Sequence, residues 1–177
     1  MWRTLDVGRR RGGSQMSIEK LPAGTRGARS VPRVIQRLTL PLRLRMHHRA
    51  GDKMGEMDLL YISTVGARSG ERRTAPVARF DDGDGAWLVV ASAGGQAQHP
   101  AWYLNVVAHP QDVEAEVSGV RHRVVPEQLA GAERAEAWRA ITARVPGFAS
   151  YEAKTDRPIP VLRLRSAGIV DGASADR

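Results

Sequence analysis

The chain has 177 residues, 42% hydrophobic and 26% charged, with no cysteine and a formal charge of +8. That is enough for one domain with a sizeable core, and it excludes a disulfide framework, a thiolate metal cluster and a cysteine nucleophile. The charge is polarised: residues 1–50 hold 12 Lys or Arg against Asp6 and Glu19, whereas residues 51–177 hold 15 basic against 17 acidic side chains. A basic arm on a nearly neutral body argues against a nucleic-acid face. There is no apolar run of about eighteen residues and no signal-peptide pattern, so the expected location is cytoplasmic.

Taken in order, residues 1–30 are rich in Gly and Arg, from Arg9-Arg10-Arg11-Gly12-Gly13 to Gly24-Thr25-Arg26-Gly27. They offer little to bury, and a disordered basic arm is expected; Met16 is a candidate start codon beside Met1. Across residues 31–50, Val34, Ile35, Leu38, Leu42 and Met46 recur at helical spacing among Arg33, Arg37, Arg45 and Arg49. This predicts a basic amphipathic helix, kinked at Pro41, that either docks on an anionic membrane surface through residues 33–49 or packs on the core.

Residues 51–168 read as the folded body, with a flexible tail at 169–177. Short β-branched runs at 58–65, 74–80, 86–92, 112–117, 120–125 and 161–165 predict six strands, with Asp82-Gly83-Asp84-Gly85 and Ser118-Gly119 supplying hairpin turns. Helices are expected from Pro100 to about 107, from about Pro126 to Arg144, and as a short turn around 148–154. Helices inserted between hairpins predict an α+β protein built on an antiparallel barrel, not a doubly wound sheet.

Two segments can carry chemistry. Between the first two strands, Gly66-Ala67-Arg68-Ser69-Gly70-Glu71-Arg72-Arg73 combines two glycines, a hydroxyl and guanidinium groups, which suits a phosphate or carboxylate cradle or a plain polar turn; it is neither a P-loop nor a GxGxxG fingerprint. The third strand runs into Ala91-Ser92-Ala93-Gly94-Gly95, whose small residues admit a flat ring close to the backbone, or form only a flexible loop. Ser92 and His99 lack the GxSxG setting of a hydrolase. The five histidines show no HxH or HExxH spacing, so no metal site is expected.

Five pieces in order, Tyr61-Ile62-Ser63-Thr64-Val65-Gly66, Ser69-Gly70 with Arg73-Thr74-Ala75-Pro76, Val90-Ala91-Ser92-Ala93-Gly94-Gly95, His99-Pro100-Ala101-Trp102-Tyr103-Leu104-Asn105 and Thr155-Asp156-Arg157-Pro158-Ile159-Pro160-Val161, resemble the deazaflavin-dependent nitroreductases and quinone reductases over about residues 33–165. The resemblance implies a split β-barrel of the FMN-binding type that binds coenzyme F420 and passes hydride from its reduced form to a quinone, nitroaromatic or similar conjugated acceptor. It implies that the first hairpin turn holds the cofactor's phosphate and acidic tail through Ala67, Arg68, Ser69, Gly70, Arg72 and Arg73. It places the ring against Tyr61, Ile62, Ser63, Val89, Val90, Ala91, Ser92 and Ala93, with Phe148 lining the pocket and Ser92 and Tyr151 bonding to the acceptor.

The chain departs from the family in two places. Its turn reads Gly-Ala-Arg-Ser-Gly where Gly-Arg-Lys-Ser/Thr-Gly is common, so Arg72 would replace the lost cation. Val145 and Phe148 stand where related nitroreductases carry aromatic hydroxyls, which favours quinones over bulky nitroaromatics. An FMN-binding reductase and a non-catalytic cofactor or lipid carrier are the alternatives.

Overall fold

The computed structural model describes residues 18–29, 52–55 and 57–170. The helix expected over 31–50, the start of the arm and the end of the tail lie outside the described residues. Seven antiparallel strands follow in chain order: β1 (Lys53–Met54), β2 (Met57–Val65), β3 (Arg72–Asp81), β4 (Ala86–Val90), β5 (Glu114–Val117), β6 (Val120–Gln128) and β7 (Val161–Ile169). Three helices interrupt them: α1 (Ala101–Ala108), α2 (Gly131–Arg144) and α3 (Ala149–Lys154), with single 3-10 turns at Ala93–Gly95 and Pro146–Phe148.

The strands run β1-β2-β3-β4-β7-β6-β5, and β5 returns to pair with β2 through Tyr61↔Glu116, Ile62↔Ala115 and Ser63↔Glu114. The last six strands therefore close into a barrel, which leaves the sheet with no long open edge. Side-chain alternation divides the apolar residues into two cores. Leu60, Ile62, Val77, Trp87, Val89, Ala91, Ala115, Leu162 and Leu164 fill the interior, with Trp102, Tyr103 and Val106 of α1. Phe80, Leu88, Val90 and Val161 face outward and are covered by Ala137 and Ile141 of α2 and by Phe148.

Three expectations need correction. The helix predicted from Pro126 begins at Gly131, because β6 continues to Gln128. Pro126 is tolerated in the strand because the β5 pairing ends at Arg123, while the Leu129 N–H donates to Val161 O across β7; Pro126, one residue out of phase with the β7 bonds, faces the side with no neighbour. The tail joins later than expected: β7 reaches Ile169, and the Val170 N–H donates to Arg121 O.

The third correction concerns residues 18–29, which lie on the barrel as an extended strap. Ile18 joins the interior core. Backbone bonds run from Gly24 N–H to Ala97 O (2.9 Å) and from Ala28 N–H to Gly95 O (2.8 Å). The Asp156 carboxylate accepts from the Thr25 and Arg26 N–H groups and the Thr25 hydroxyl (2.6–3.0 Å), and Thr155 donates to Arg26 O (3.0 Å). Composition misleads here because a Cβ at Gly27 would overlap the backbone of Gln96 and Ala97. That glycine marks a close approach of two segments of the chain, not low complexity.

Candidate functional site

The β2–β3 turn is organised from below. Gly66 N–H donates to Glu71 O and Gly70 N–H to Gly66 O, both at 2.9 Å. Asn105, buried on α1, accepts from the Ala67 N–H (3.0 Å) and donates to the Thr64 hydroxyl (3.1 Å), fixing the turn to the barrel. Ala67 is thus a structural donor. Glu71 N–H donates to the Ser69 hydroxyl (3.3 Å).

The cations of this turn differ in commitment. Arg73 pairs with Glu71, and Arg72 with Glu114 at 3.2 Å. Arg68 is exposed and has no ion pair among the described residues, and neither its N–H nor that of Ser69 meets a protein acceptor there. An exposed guanidinium beside two unused N–H groups is the donor set that a phosphate or carboxylate requires.

The strands separate the remaining expected residues by face. Tyr61, Ser63, Val90 and Phe148 belong to the outer face, whereas Ile62, Val89 and Ala91 belong to the interior core and can offer a ligand only backbone. Tyr61 is buried and donates to Asp52 at 2.7 Å; burial and that carboxylate raise its pKa above the usual phenol value. Ser63 shares a 2.7 Å hydrogen bond with Thr74 across the β2–β3 ladder. From Ala78, beside Val90 in the continued register, to Arg72 at the turn, β3 covers about 20 Å. Val90 and the loop after it thus lie at the far end of β3 from the turn, with Tyr61, Ile62 and Ser63 beside Pro76, Ala75 and Thr74 between them.

Gly95 brings the Ser92 loop against the backbone of Tyr151: its N–H donates to Ser92 O at 2.9 Å. A Cβ there would lie 2.9 Å from Tyr151 O and from Lys154 Cβ, so only glycine lets α3 pack on the Ala93–Gly95 turn. Ser92 and Tyr151 are half-buried, and neither hydroxyl has a partner among the described residues. The Tyr151 ring meets Phe148 edge-on at 5.5 Å, with Lys154 Nζ 5.3 Å from its centroid.

The residue that orders this loop received no role from the sequence. Arg157 is 3% exposed, and no carboxylate pairs with it among the described residues. Its guanidinium donates to Ser92 O (2.6 Å), Gln96 O (2.9 Å), Ala91 O (3.1 Å) and His99 Nδ1 (3.1 Å). Because Nδ1 accepts, the Nε2–H of a neutral His99 faces the Leu21 and Pro22 carbonyls at 3.1 and 3.0 Å. Burial lowers the pKa of both groups. With both ring nitrogens engaged, His99 cannot activate Ser92, which closes the hydrolase reading. Arg157 and Asn105 both lay inside the motifs quoted above; a lone amide in the apolar run Trp102–Val107 and a cation between Asp156 and Pro158 were their signals.

A family model described as F420H(2)-dependent quinone reductase matches residues 36–165. The chain belongs to this family. It is an oxidoreductase that depends on reduced F420 and acts on quinones. An F420H(2)-dependent quinone reductase of Mycobacterium tuberculosis is 37% identical over 108 residues, covering 59% of this chain and 71% of the relative. The solved F420-H2 dependent reductase FDR-A is 35% identical with a TM-score of 0.54, covering 60% of this chain and 93% of that one. A second solved structure, described as a domain-swapped dimer, is 30% identical with a TM-score of 0.54 and covers 72% and 99%. The strap at 18–29 precedes the part matched by this quinone reductase family. No helix among the described residues is long and apolar enough to cross a membrane.

The residues present fit F420 in chemistry. Arg68, with the Arg68 and Ser69 N–H groups, meets the needs of an anionic tail. The loop of Ala, Ser and Gly at 91–95 meets those of a flat ring.

Proposed function

We propose that the chain holds F420 along the strip from the β2–β3 turn to the Ala91–Gly95 loop, and reduces a quinone stacked there. The observation that carries this reading is the pairing of an uncommitted cation, Arg68, at one end with a small-residue loop backed by Tyr151 and Phe148 at the other. Arg68, Ser69 and Gly70 take the phosphate and acidic tail. Arg72 and Arg73 add charge in exchange for Glu114 and Glu71. Tyr61, Ser63, Val90 and Ala93 border the ring by side chain, and Ile62, Val89 and Ala91 by backbone.

Reduced F420 supplies hydride to the acceptor when bound. The protein orients and dries the site: Phe148 excludes water, while the Ser92 and Tyr151 hydroxyls hold the acceptor oxygen and supply a proton to it. With Val145 and Phe148 lacking hydroxyls, the chain turns over small quinones faster than bulky nitroaromatics.

Fluorescence titration of F420 tests the seating. Arg68→Ala removes a charge-assisted bond worth about 1.5–3 kcal/mol, so affinity falls about tenfold or more while the melting temperature stays unchanged. Equal affinity for both proteins would overturn the tail assignment.

The same reading puts the protein on the inner face of the cell membrane, drawn by the arginines of residues 33–49 toward anionic lipid and a lipid-soluble quinone. Replacing Arg33, Arg37, Arg45 and Arg49 by Gln is expected to abolish low-salt cosedimentation with phosphatidylserine vesicles. Undiminished sedimentation would remove the membrane from this account.

A further inference from the structure

Ser92 has right-handed backbone angles (φ −70°, ψ −35°), and Ala93 and Gly94 follow at φ 48° and 64°. A right-handed residue followed by left-handed ones turns successive N–H groups into one concavity, the arrangement that receives anions. A left-handed Ala93 costs energy that a relaxed loop would avoid. The N–H groups of Ser92, Ala93 and Gly94 have no hydrogen-bond partner among the described residues, although Ala91, Gly95 and Gln96 on either side donate to Pro160 O, Ser92 O and Ala93 O.

Arg157 explains the orientation. It draws the carbonyls of Ala91 and Ser92 toward itself, at 3.1 and 2.6 Å. No peptide here is cis, so each N–H points opposite to the carbonyl of its own peptide. The Ser92 and Ala93 N–H groups therefore point away from the guanidinium. A buried positive charge stands behind them without a counter-carboxylate among the described residues.

We infer that Arg157 is a positioning residue, holding Ser92, Ala93 and Gly94 as a three-donor nest for a conjugated carbonyl or imide oxygen that carries negative charge. The inference rests on the cofactor seating proposed above and adds a subsite to it. The oxygen comes either from the pyrimidine half of the deazaflavin ring or from the quinone. The buried cation lends its charge through the polarised Ala91 and Ser92 carbonyls, so the nest favours the anionic form of whichever oxygen it holds.

Amide NMR of the full chain, with F420 added first and menadione second, tests this without turnover. Downfield shifts of the Ser92, Ala93 and Gly94 amides with F420 alone assign the nest to the ring oxygen; shifts only after menadione assign it to the acceptor. Movement of the 66–70 amides with neither response at 92–94 would overturn the nest and leave the seating intact. No movement in either region would overturn both.

Arg157→Lys keeps the charge but loses the fork that grips several carbonyls. Its 92–94 amides are expected to shift in the ligand-free protein with the 66–70 amides unmoved, and the affinity for whichever ligand moves the wild-type 92–94 amides is expected to fall about tenfold. Unchanged 92–94 amides and affinity would overturn the role of Arg157. Should that variant fail to fold, the wild-type titration still decides the nest.

Discussion

At the scale of single residues, the site is held by polar groups that act on backbone. Asn105 fixes the β2–β3 turn through Ala67, Arg157 fixes the Ala91–Gln96 loop, and His99 joins that loop to the strap. His99 carries a pH consequence. Burial chiefly, with the Arg157 charge beside it, holds its pKa below the ordinary 6.5, against an opposing hydrogen bond to Pro22. The unfolded chain therefore binds the proton more readily than the native one. The contribution of a neutral His99 is complete above about pH 6.5 and is lost as pH falls below that value toward the native pKa. Between about pH 7.5 and pH 5.5, the wild-type melting temperature should drop more than that of His99→Gln. Parallel slopes would show that His99 does not titrate against stability.

At the scale of elements, legibility followed periodicity. The six main strands and α1 could be read because β-branched alternation, Asp-Gly turns and Pro100 are local signals. The boundary between β6 and α2 was misread because Pro126 is a good helix starter by sequence, while its actual tolerance depends on the β5 pairing ending at Arg123. The strap was misread for a related reason. Gly24 and Gly27 look like disorder, but the Asp156 carboxylate and the Ala97 backbone make them contact points. The β2–β3 turn could be read from its glycines, yet which of its cations is uncommitted could not, because that depends on Glu71 and Glu114. The unbonded N–H groups of Ser92–Gly94 follow from backbone angles that residue identity alone does not specify.

At the scale of the whole molecule, the two cores share strands. Leu88 and Val90 face α2, while Trp87 and Val89, on the same strand, face the interior. Loss of either core thus disturbs the same backbone. Ile141 is 1% exposed in the outer core, and Ile141→Ala should cost about 2–5 kcal/mol. Tryptophan fluorescence, which includes the interior Trp87 and Trp102, and far-UV circular dichroism should report one coincident, shifted urea transition. Separate midpoints would mean that the outer layer melts independently. The polarised charge belongs to this scale too, with the basic excess confined to residues 1–50 and a nearly neutral body behind it.

The strap has a consequence for the order in which the protein is made. Its bonds from Thr25 to Asp156 join residues 131 apart, and those from Arg26 span 127 to 130. During synthesis the strap leaves the ribosome 127 to 131 residues ahead of its acceptors. Contacts this distant in the chain are closed late. Until residues 155–157 have been added, the Ala91–Gln96 loop lacks the guanidinium that grips its carbonyls, so a nascent chain orders that loop only after this distant segment has followed it.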